Sequence, residues 1–506
     1  MQLKSLLNLL VLALILGACS KVEINGPLEP QQDPIPKSEL NAFIIDQLHK
    51  TGPFHWSQAS DEQLWSAVVQ SDSMVAIGYT LEGLPNLDET IHLIDIQKEE
   101  WQKVKNDILD YIVSETNRLN GSSVTAEDLL PFGQEARLPF LMIKVHDASI
   151  LSGLRQMPTI RYLDAVGYVV EEVTDRSTAG CDVQPDYNIP AADYTTVSPN
   201  VKVPWNFYNA NIPDAWNRTS GDGITIALID TGTSPNQSKL GSAFNSGQSQ
   251  GRFIDREGTY VSSWWWWASP DGPDDQCGHG TQMSGLLAAP RGYGGSSVGV
   301  AYNSDLLAIR GTSDVVILGS REVNGVSDAV EMAGARSDVK VLSMSIGSIF
   351  SFGSISDAIN YAYGQGKMIV AAAGTSTWFT SWVGVIFPAS MNNTIAVTGV
   401  KEQTPLVKCN TCHSGSKVDF VAVMQRDNDN ARTSLTLAMS GNTPARVGGS
   451  SCATAMTAGI AALVWSTNPN QSRSQVLQRM KNASQFYPAR DSKFGWGKID
   501  ADLAVQ

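Results

Sequence analysis

Gly449-Ser450-Ser451-Cys452-Ala453-Thr454-Ala455-Met456-Thr457-Ala458-Gly459 leads without a break into the apolar run Ile460-Ala461-Ala462-Leu463-Val464-Trp465. Small residues let a turn close onto the start of a helix, where free N–H groups and the helix dipole favour developing negative charge. A serine held there is a candidate nucleophile. Alone, the same pattern describes a helix cap, because Ser before a hydrophobic helix satisfies an orphan N–H. Two other stretches bear on the choice.

Gly223-Ile224-Thr225-Ile226-Ala227-Leu228-Ile229-Asp230-Thr231-Gly232 is an apolar β-type run ending in Asp-Thr-Gly. A carboxylate at the carboxyl end of a buried strand stands where open α/β sheets place their ligands. Cys277-Gly278-His279-Gly280-Thr281-Gln282-Met283-Ser284-Gly285, followed by Leu286-Leu287-Ala288-Ala289, reads as a helix opened by a glycine-flanked histidine. Glycines on both sides clear room for the imidazole to meet a partner and a substrate. Asp230, His279 and Ser451 thus offer an acid, a base and a nucleophile in that order.

The order and its flanks resemble the subtilisin-like serine peptidases, the subtilases. Val341-Leu342-Ser343-Met344-Ser345-Ile346-Gly347 is similar to that family's substrate-binding edge strand, and Phe387-Pro388-Ala389-Ser390 with Ile395-Ala396-Val397 resembles the segment lining its S1 side. Phe494-Gly495-Trp496-Gly497-Lys498-Ile499-Asp500-Ala501 is similar to the segment that closes such a domain. The resemblance implies an α/β, three-layer domain with a mainly parallel sheet. It implies a serine endopeptidase acting on proteins or peptides, with Ser451 as nucleophile, His279 as general base and acid, and Asp230 holding the imidazole. Substrate contacts are expected at Ser345, Ile346, Gly347, Ala373 and Gly374, small enough on the whole to admit a sizeable P1 side chain and broad specificity.

The oxyanion is expected to meet the backbone N–H of Ser451 and a second donor. In subtilases that donor is an asparagine amide after a run like Val370-Ala371-Ala372-Ala373-Gly374; this chain has Thr375, whose hydroxyl reaches less far. Loss of one such donor costs ~10²–10³ in turnover, a figure from subtilisin itself. The expectation is a slow enzyme, or one that recruits Ser376 or water; the alternative is a weakly active or inactive subtilase-fold peptide-binding protein. Gln282 stands where the family has a second histidine, and Ala455-Met456 where it has Pro-His; both read as packing or fine positioning.

At 506 residues the chain exceeds one ordinary core and suggests two to four folding units. A composition of 42% hydrophobic and 17% charged residues is globular, and a net charge of −14 argues against nucleic acid as a partner, since phosphate binding needs a basic face. Residues 1–18 carry one cation, Lys4, and an apolar run shorter than the ~20 residues that span a bilayer, so they read as a signal peptide. Leu16-Gly17-Ala18-Cys19 looks like a bacterial lipobox, making Cys19 a lipidated first residue and a membrane anchor before maturation; the alternative is an ordinary signal peptide with a chance cysteine. Residues 19–84 read as a Pro- and Gln-rich tether and an unassigned segment.

Over 85–172 the pattern sharpens: a strand at 91–96, a helix through Trp101, Val104, Ile108, Leu109 and Ile112, a strand at 138–145, a helix at 148–157 and one or two strands in 160–170. This β-α-β-α-β order is that of a small α+β, split βαβ domain. In subtilases a domain of that shape precedes the peptidase as folding aid and intramolecular inhibitor, which implies a zymogen; an accessory domain that is never removed is the other reading. Residues 173–200 read as a linker with a candidate maturation site, and 201–506 as the peptidase domain, with strand-like runs at 224–229, 306–309, 339–344, 368–373 and 394–400. A cut in the linker separates Cys19 from the enzyme, so the protein is expected as an exported envelope lipoprotein, a secreted form, or both.

Five further cysteines, Cys181, Cys277, Cys409, Cys412 and Cys452, allow disulfides in an exported chain. One pairing joins 181 to 277 and 409 to 412, leaving Cys452 as a small buried residue. Cys409-Asn410-Thr411-Cys412-His413 also matches a haem c attachment pattern, within the peptidase domain and without an apparent haem pocket. No cofactor is required. Asp271, Asp274 and Asp275 offer oxygens for Ca²⁺, or are solvated loop carboxylates. Trp264-Trp265-Trp266-Trp267 cannot all face inward on a strand; they form an exposed ridge gripping substrate or membrane, or a loop packed on the domain or the prosegment.

Overall fold

The computed structural model describes residues 33–170, 180–181, 183–263, 269–375 and 382–506. The signal segment, Cys19, Trp264 to Trp267 and Ser376 lie outside the described residues. Chain order begins with helices α1 (Lys37–Thr51) and α2 (Asp61–Val69), the latter opened by a capping box in which Ser60 accepts the Gln63 N–H. Strands β1 (Met74–Tyr79), β2 (Phe140–Lys144) and β3 (Ile160–Ala165) follow, connected through helices α3 (Glu99–Asn120) and α4 (Ala148–Arg155). The strands pair antiparallel in the order β2-β1-β3.

The expected β-α-β-α-β order holds, with its first strand elsewhere. Residues 91–96 are not a strand: Asn86, at φ 50°, opens a short helix Leu87–Thr90 that runs into a 3₁₀ turn, Ile91–Leu93. Leu93 is left 73% exposed between the buried Ile91 and Ile96. The actual first strand, Met-Val-Ala-Ile-Gly-Tyr, is buried at every position and so has no alternation to read. This unit therefore begins near Lys37, well before residue 85.

The larger body opens with the hairpin β4 (Tyr194–Val197) and β5 (Val201–Pro204). It continues through β6 (Thr225–Asp230), β7 (Ile254–Gly258), α5 (His279–Ala288), β8 (Asp305–Arg310), α6 (Ser320–Ala335), β9 (Val339–Met344), α7 (Gly353–Gly364), β10 (Met368–Ala372), β11 (Ile395–Lys401) and β12 (Phe420–Gln425). A small hairpin, β13 (Ser434–Thr436) and β14 (Ala445–Val447), precedes α8 (Gly449–Ser466) and α9 (Arg473–Asn482). Seven strands in the order β12-β11-β10-β9-β6-β8-β7 form one parallel sheet. Alternate side chains divide it between two cores. Ala227 and Ile229 pack with residues of α6 and α7, whereas Ile226 and Leu228 pack with α5 and α8. The result is the expected α/β three-layer architecture.

The first of those cores continues into the N-terminal unit, taking in Leu40, Trp56, Ile77 and Leu151. Phe54 donates its N–H to Ile349 and accepts the Ser351 N–H, both at 2.8 Å, and Trp56 stacks on Phe350 at 5.8 Å. The Arg161 guanidinium forks onto Asp357 at 2.8 Å in each arm, and the Tyr162 hydroxyl donates to the same carboxylate at 2.9 Å. Residues 183–200, expected as a linker, belong to the larger body. The Asp186 N–H donates to Pro444 at 2.8 Å, and the fully buried Asp193 lies within 3.3 Å of the guanidinium groups of Arg426, Arg432 and Arg446.

Disulfides join Cys181 to Cys277 and Cys409 to Cys412, and Cys452 is buried and free. With its thiols bonded to each other, the 409–413 motif has no sulfur left for a haem thioether. Among the described residues no helix is long and apolar enough to cross a membrane.

Candidate active site

β6 delivers Asp230 at its carboxyl end, α5 begins at His279, and Ser451 lies in the first turn of α8. Gly278, at φ 101°, adopts a conformation that side-chain-bearing residues avoid and turns the imidazole toward the end of β6. His279 Nδ1 is 2.8 Å from Asp230 Oδ1, with both residues buried. Donation from Nδ1 to the carboxylate leaves Nε2 as the basic nitrogen. Burial opposes the imidazolium, but the Asp230 carboxylate, with Asp275 and Asp314 beyond it, outweighs burial and raises the His279 pKa above its ordinary value.

The Ser451 hydroxyl donates to the Ser345 carbonyl at 3.3 Å, and the Ser345 hydroxyl donates to the Ser451 carbonyl at 3.1 Å. Thr375 Oγ1 accepts the Ser450 N–H at 3.1 Å and lies 3.0 Å from Ser450 Oγ, which accepts the Gly374 N–H at 3.3 Å. The threonine hydroxyl therefore rests against the N-terminus of α8, one residue from the Ser451 N–H.

The residues expected to contact substrate have the following partners. The Gly347 N–H donates to Val315 at 3.2 Å and its carbonyl accepts the Ile317 N–H at 2.9 Å, so this edge is already paired. Ile346 is buried, the Ala373 carbonyl accepts the Ile386 N–H at 3.0 Å, and the Gly374 N–H is held by Ser450. A Cβ on Gly347 would come within 2.6 Å of Ile386 Cδ1, so the backbone here lies close against that side chain.

The Subtilase family profile (peptidase S8) matches residues 221–497, which includes all three of these chemical groups. The chain belongs to the subtilase family. It is a serine endopeptidase, and its substrates are proteins or peptides. Alkaline elastase YaB of Bacillus sp. (strain YaB) is 29% identical over 318 residues, covering 62% of this chain and 72% of that one. Thermitase of Thermoactinomyces vulgaris is 28% identical over 294 residues, covering 58% and 92%. Among solved structures, a protease from Pseudoalteromonas arctica PAMC 21717 superposes with a TM-score of 0.48 at 21% identity, covering 60% of this chain and 96% of that one.

Several residues of this subtilase site carried no clear signal in sequence. Asp275 accepts five hydrogen bonds: from the Cys277 and Gly278 N–H groups at 3.0 and 2.7 Å, the Thr231 hydroxyl at 2.9 Å, and the Thr281 N–H and hydroxyl at 2.9 and 2.6 Å. It builds the turn that presents His279. Asp274 pairs with Arg256 at 2.9 Å, and Asp271 accepts from Ser262 at 3.0 and 3.1 Å, so the three carboxylates read either as Ca²⁺ oxygens or as solvated loop acids face separate partners. The chain before β4 also reaches the subtilase site. A Cβ on Gly180 would come within 3.3 Å of His279 Cδ2 and 2.9 Å of Val315, and one on Gly278 within 2.7 Å of Val183. The Cys181–Cys277 bond pins that strap beside the imidazole.

The departures from the subtilase pattern are structural. Gln282 donates to the Arg446 carbonyl at 2.9 Å, and the Met456 sulfur accepts from Asn206 at 3.0 Å. Cys452, buried beside Met456, has its thiol pushed up to about 12 by burial and offers no competing nucleophile.

Proposed function

We propose that Asp230, His279 and Ser451 form the catalytic triad of this endopeptidase and that it is made as a zymogen. The buried 2.8 Å pair of His279 and Asp230, set at the carboxyl edge of the sheet with Ser451 opening α8, carries the reading. His279 Nε2 takes the Ser451 proton once the hydroxyl turns from the Ser345 carbonyl; resting sites commonly hold such bonds slack until substrate arrives. Ser451 Oγ then bonds to the peptide carbonyl carbon, the amine leaves with the proton from His279, and water repeats the sequence to release the acid. The Ser451 N–H and the Thr375 hydroxyl serve the oxyanion. A fluorophosphonate probe is expected to label the mature enzyme and to fail on Ser451→Ala. Mature protein that takes no label would favour a peptide-binding subtilase with little or no turnover.

The N-terminal unit, 37–170, is the inhibitory prodomain in this reading, supported by its continuous core with the α6 and α7 layer. Residues 183–204 are tied to the body through Asp186, Asp193 and the β4–β5 hairpin, which opposes the local unfolding that cleavage there requires. The cut therefore falls before Cys181, releasing an exported enzyme from its lipid on Cys19 while the strap remains disulfide-bound. N-terminal sequencing of the secreted form tests this: a mature chain beginning after Cys181 would instead leave the prosegment and its anchor cross-linked to Cys277.

A further inference from the structure

The pair formed by Thr375 and Ser450 has two proton arrangements. In one, the Thr375 O–H donates to Ser450 Oγ. That oxygen then accepts from Thr375 and from the Gly374 N–H, and its own proton has no acceptor among the described residues, in an interior where Ser450 is 1% exposed. In the other, the Ser450 O–H donates to Thr375 Oγ1. Thr375 then accepts twice, from the Ser450 N–H and the Ser450 hydroxyl, and its own proton is free. Thr375 is an exposed residue, so that proton is not enclosed as the Ser450 proton is. A buried hydroxyl without an acceptor is costly and one turned toward water is not, which selects the second arrangement.

We propose that Ser450 is a positioning residue that orders the Thr375 hydroxyl as an oxyanion donor. By filling the acceptor sites of Thr375 Oγ1 through its N–H and its O–H, it leaves the threonine proton one place to point. A side-chain oxygen shorter in reach than an asparagine amide is thereby fixed before substrate arrives, and fixed donors are the ones that stabilise a developing charge without reorganisation. The backbone contributes to the same geometry: a Cβ on Gly449, which sits at φ 73°, would come within 2.7 Å of Thr375 Oγ1. Only a glycine there lets the hydroxyl approach the helix start.

The inference rests on the triad reading above, and a cycle of variants in the full-length chain separates the two. Ser451→Ala that keeps full turnover would remove the triad reading. Within an active enzyme, Ser450→Ala is expected to lower kcat about five- to tenfold, the worth of one ordinary hydrogen bond, with KM unchanged. Thr375→Val is expected to lower kcat by ~10²–10³. The deciding measurement is the double variant: Ser450→Ala added to Thr375→Val should cost nothing further, because its effect passes through the threonine hydroxyl. Ser450→Thr, which keeps the hydroxyl, should restore turnover. Sites are counted by fluorophosphonate titration so that misfolded molecules do not enter kcat. Equal losses from Ser450→Ala in both backgrounds, a loss carried by KM, or no loss in the wild-type background would overturn the proposal.

Discussion

An imidazole that must accept a proton works only when neutral. His279 has its pKa raised because Asp230 outweighs burial, so the acid limb of kcat/KM is expected above the ordinary histidine value of about 6.5, activity growing as pH rises through it. Asp230→Asn removes the charge that holds the imidazolium and should lower kcat by ~10⁴, with the acid limb moved downward. Profiles of both enzymes on one chromogenic peptide check this; a wild-type limb well below pH ~6 would contradict it. Cys452 gives a second expectation at this scale. With its thiol buried and pushed up to about 12, native enzyme should keep full activity in iodoacetamide. The pairing of Asp230 with His279 was legible because an acid closing an apolar strand and a histidine between two glycines are out of place in an ordinary strand or helix. Asp275 was not, since an acid in a loop acquires its meaning only from the five donors that folding brings to it.

At the scale of elements, the central strands β6, β8, β9, β10 and β11 could be read as apolar runs, whereas β7, with the sequence Ile-Asp-Arg-Glu-Gly, is an edge strand too polar to show. β1 failed for the opposite reason, being buried on both faces. The segment 315–317 was invisible because its role is a pairing: Val315 and Ile317 bond the Gly347 groups that the sequence reading assigned to an extended peptide. Peptide pairing at that edge requires the segment to give way. Hydrogen exchange should show the Ile317 amide protected in free enzyme and exposed on binding an extended peptidyl inhibitor, while the Gly347 amide stays protected by its new partner. Rapid exchange of both amides in free enzyme would mean that the edge is open. The strap has its own expectation. Cys181 and Cys277 are 96 residues apart, and closing a loop of that size is worth about 4–5 kcal/mol in the chain-entropy account. Cys181→Ser should therefore lower the urea midpoint of the body markedly.

The whole molecule joins two bodies through an interface rich in acids. Across α6, Glu135 of the N-terminal unit faces Asp328 and Glu331, with Arg137 bonded to Glu331 at 3.1 Å. Across α7, Asp164 accepts the Gly353 N–H at 2.6 Å near Asp357, which Arg161 and Tyr162 hold. Burial, reinforced by neighbouring carboxylates, pushes Asp164 and Asp328 up to about 7 and holds Glu135 well above the usual carboxylate range; burial also raises Glu331 against Arg137, and Asp357 against Arg161 and Tyr162. In the separated bodies these groups regain water and lower values, so docking takes up protons. The stabilisation is complete in mild acid, below the ordinary carboxylate pKa, and is lost as pH climbs through about 7. Each such carboxyl weakens docking by roughly tenfold per pH unit between those limits, so two of them give a steep dependence. After the chain is cut, the N-terminal unit should co-elute with the body at pH ~5 and separate from it by pH ~8. Asp164→Asn with Asp328→Asn, which carry no charge at either pH, should make the dependence shallower, leaving the part carried by Glu135, Glu331 and Asp357. If the wild-type bodies separate equally at both pH values, the interface acids are compensated and apolar contact around Trp56 and Phe350 alone sets the affinity.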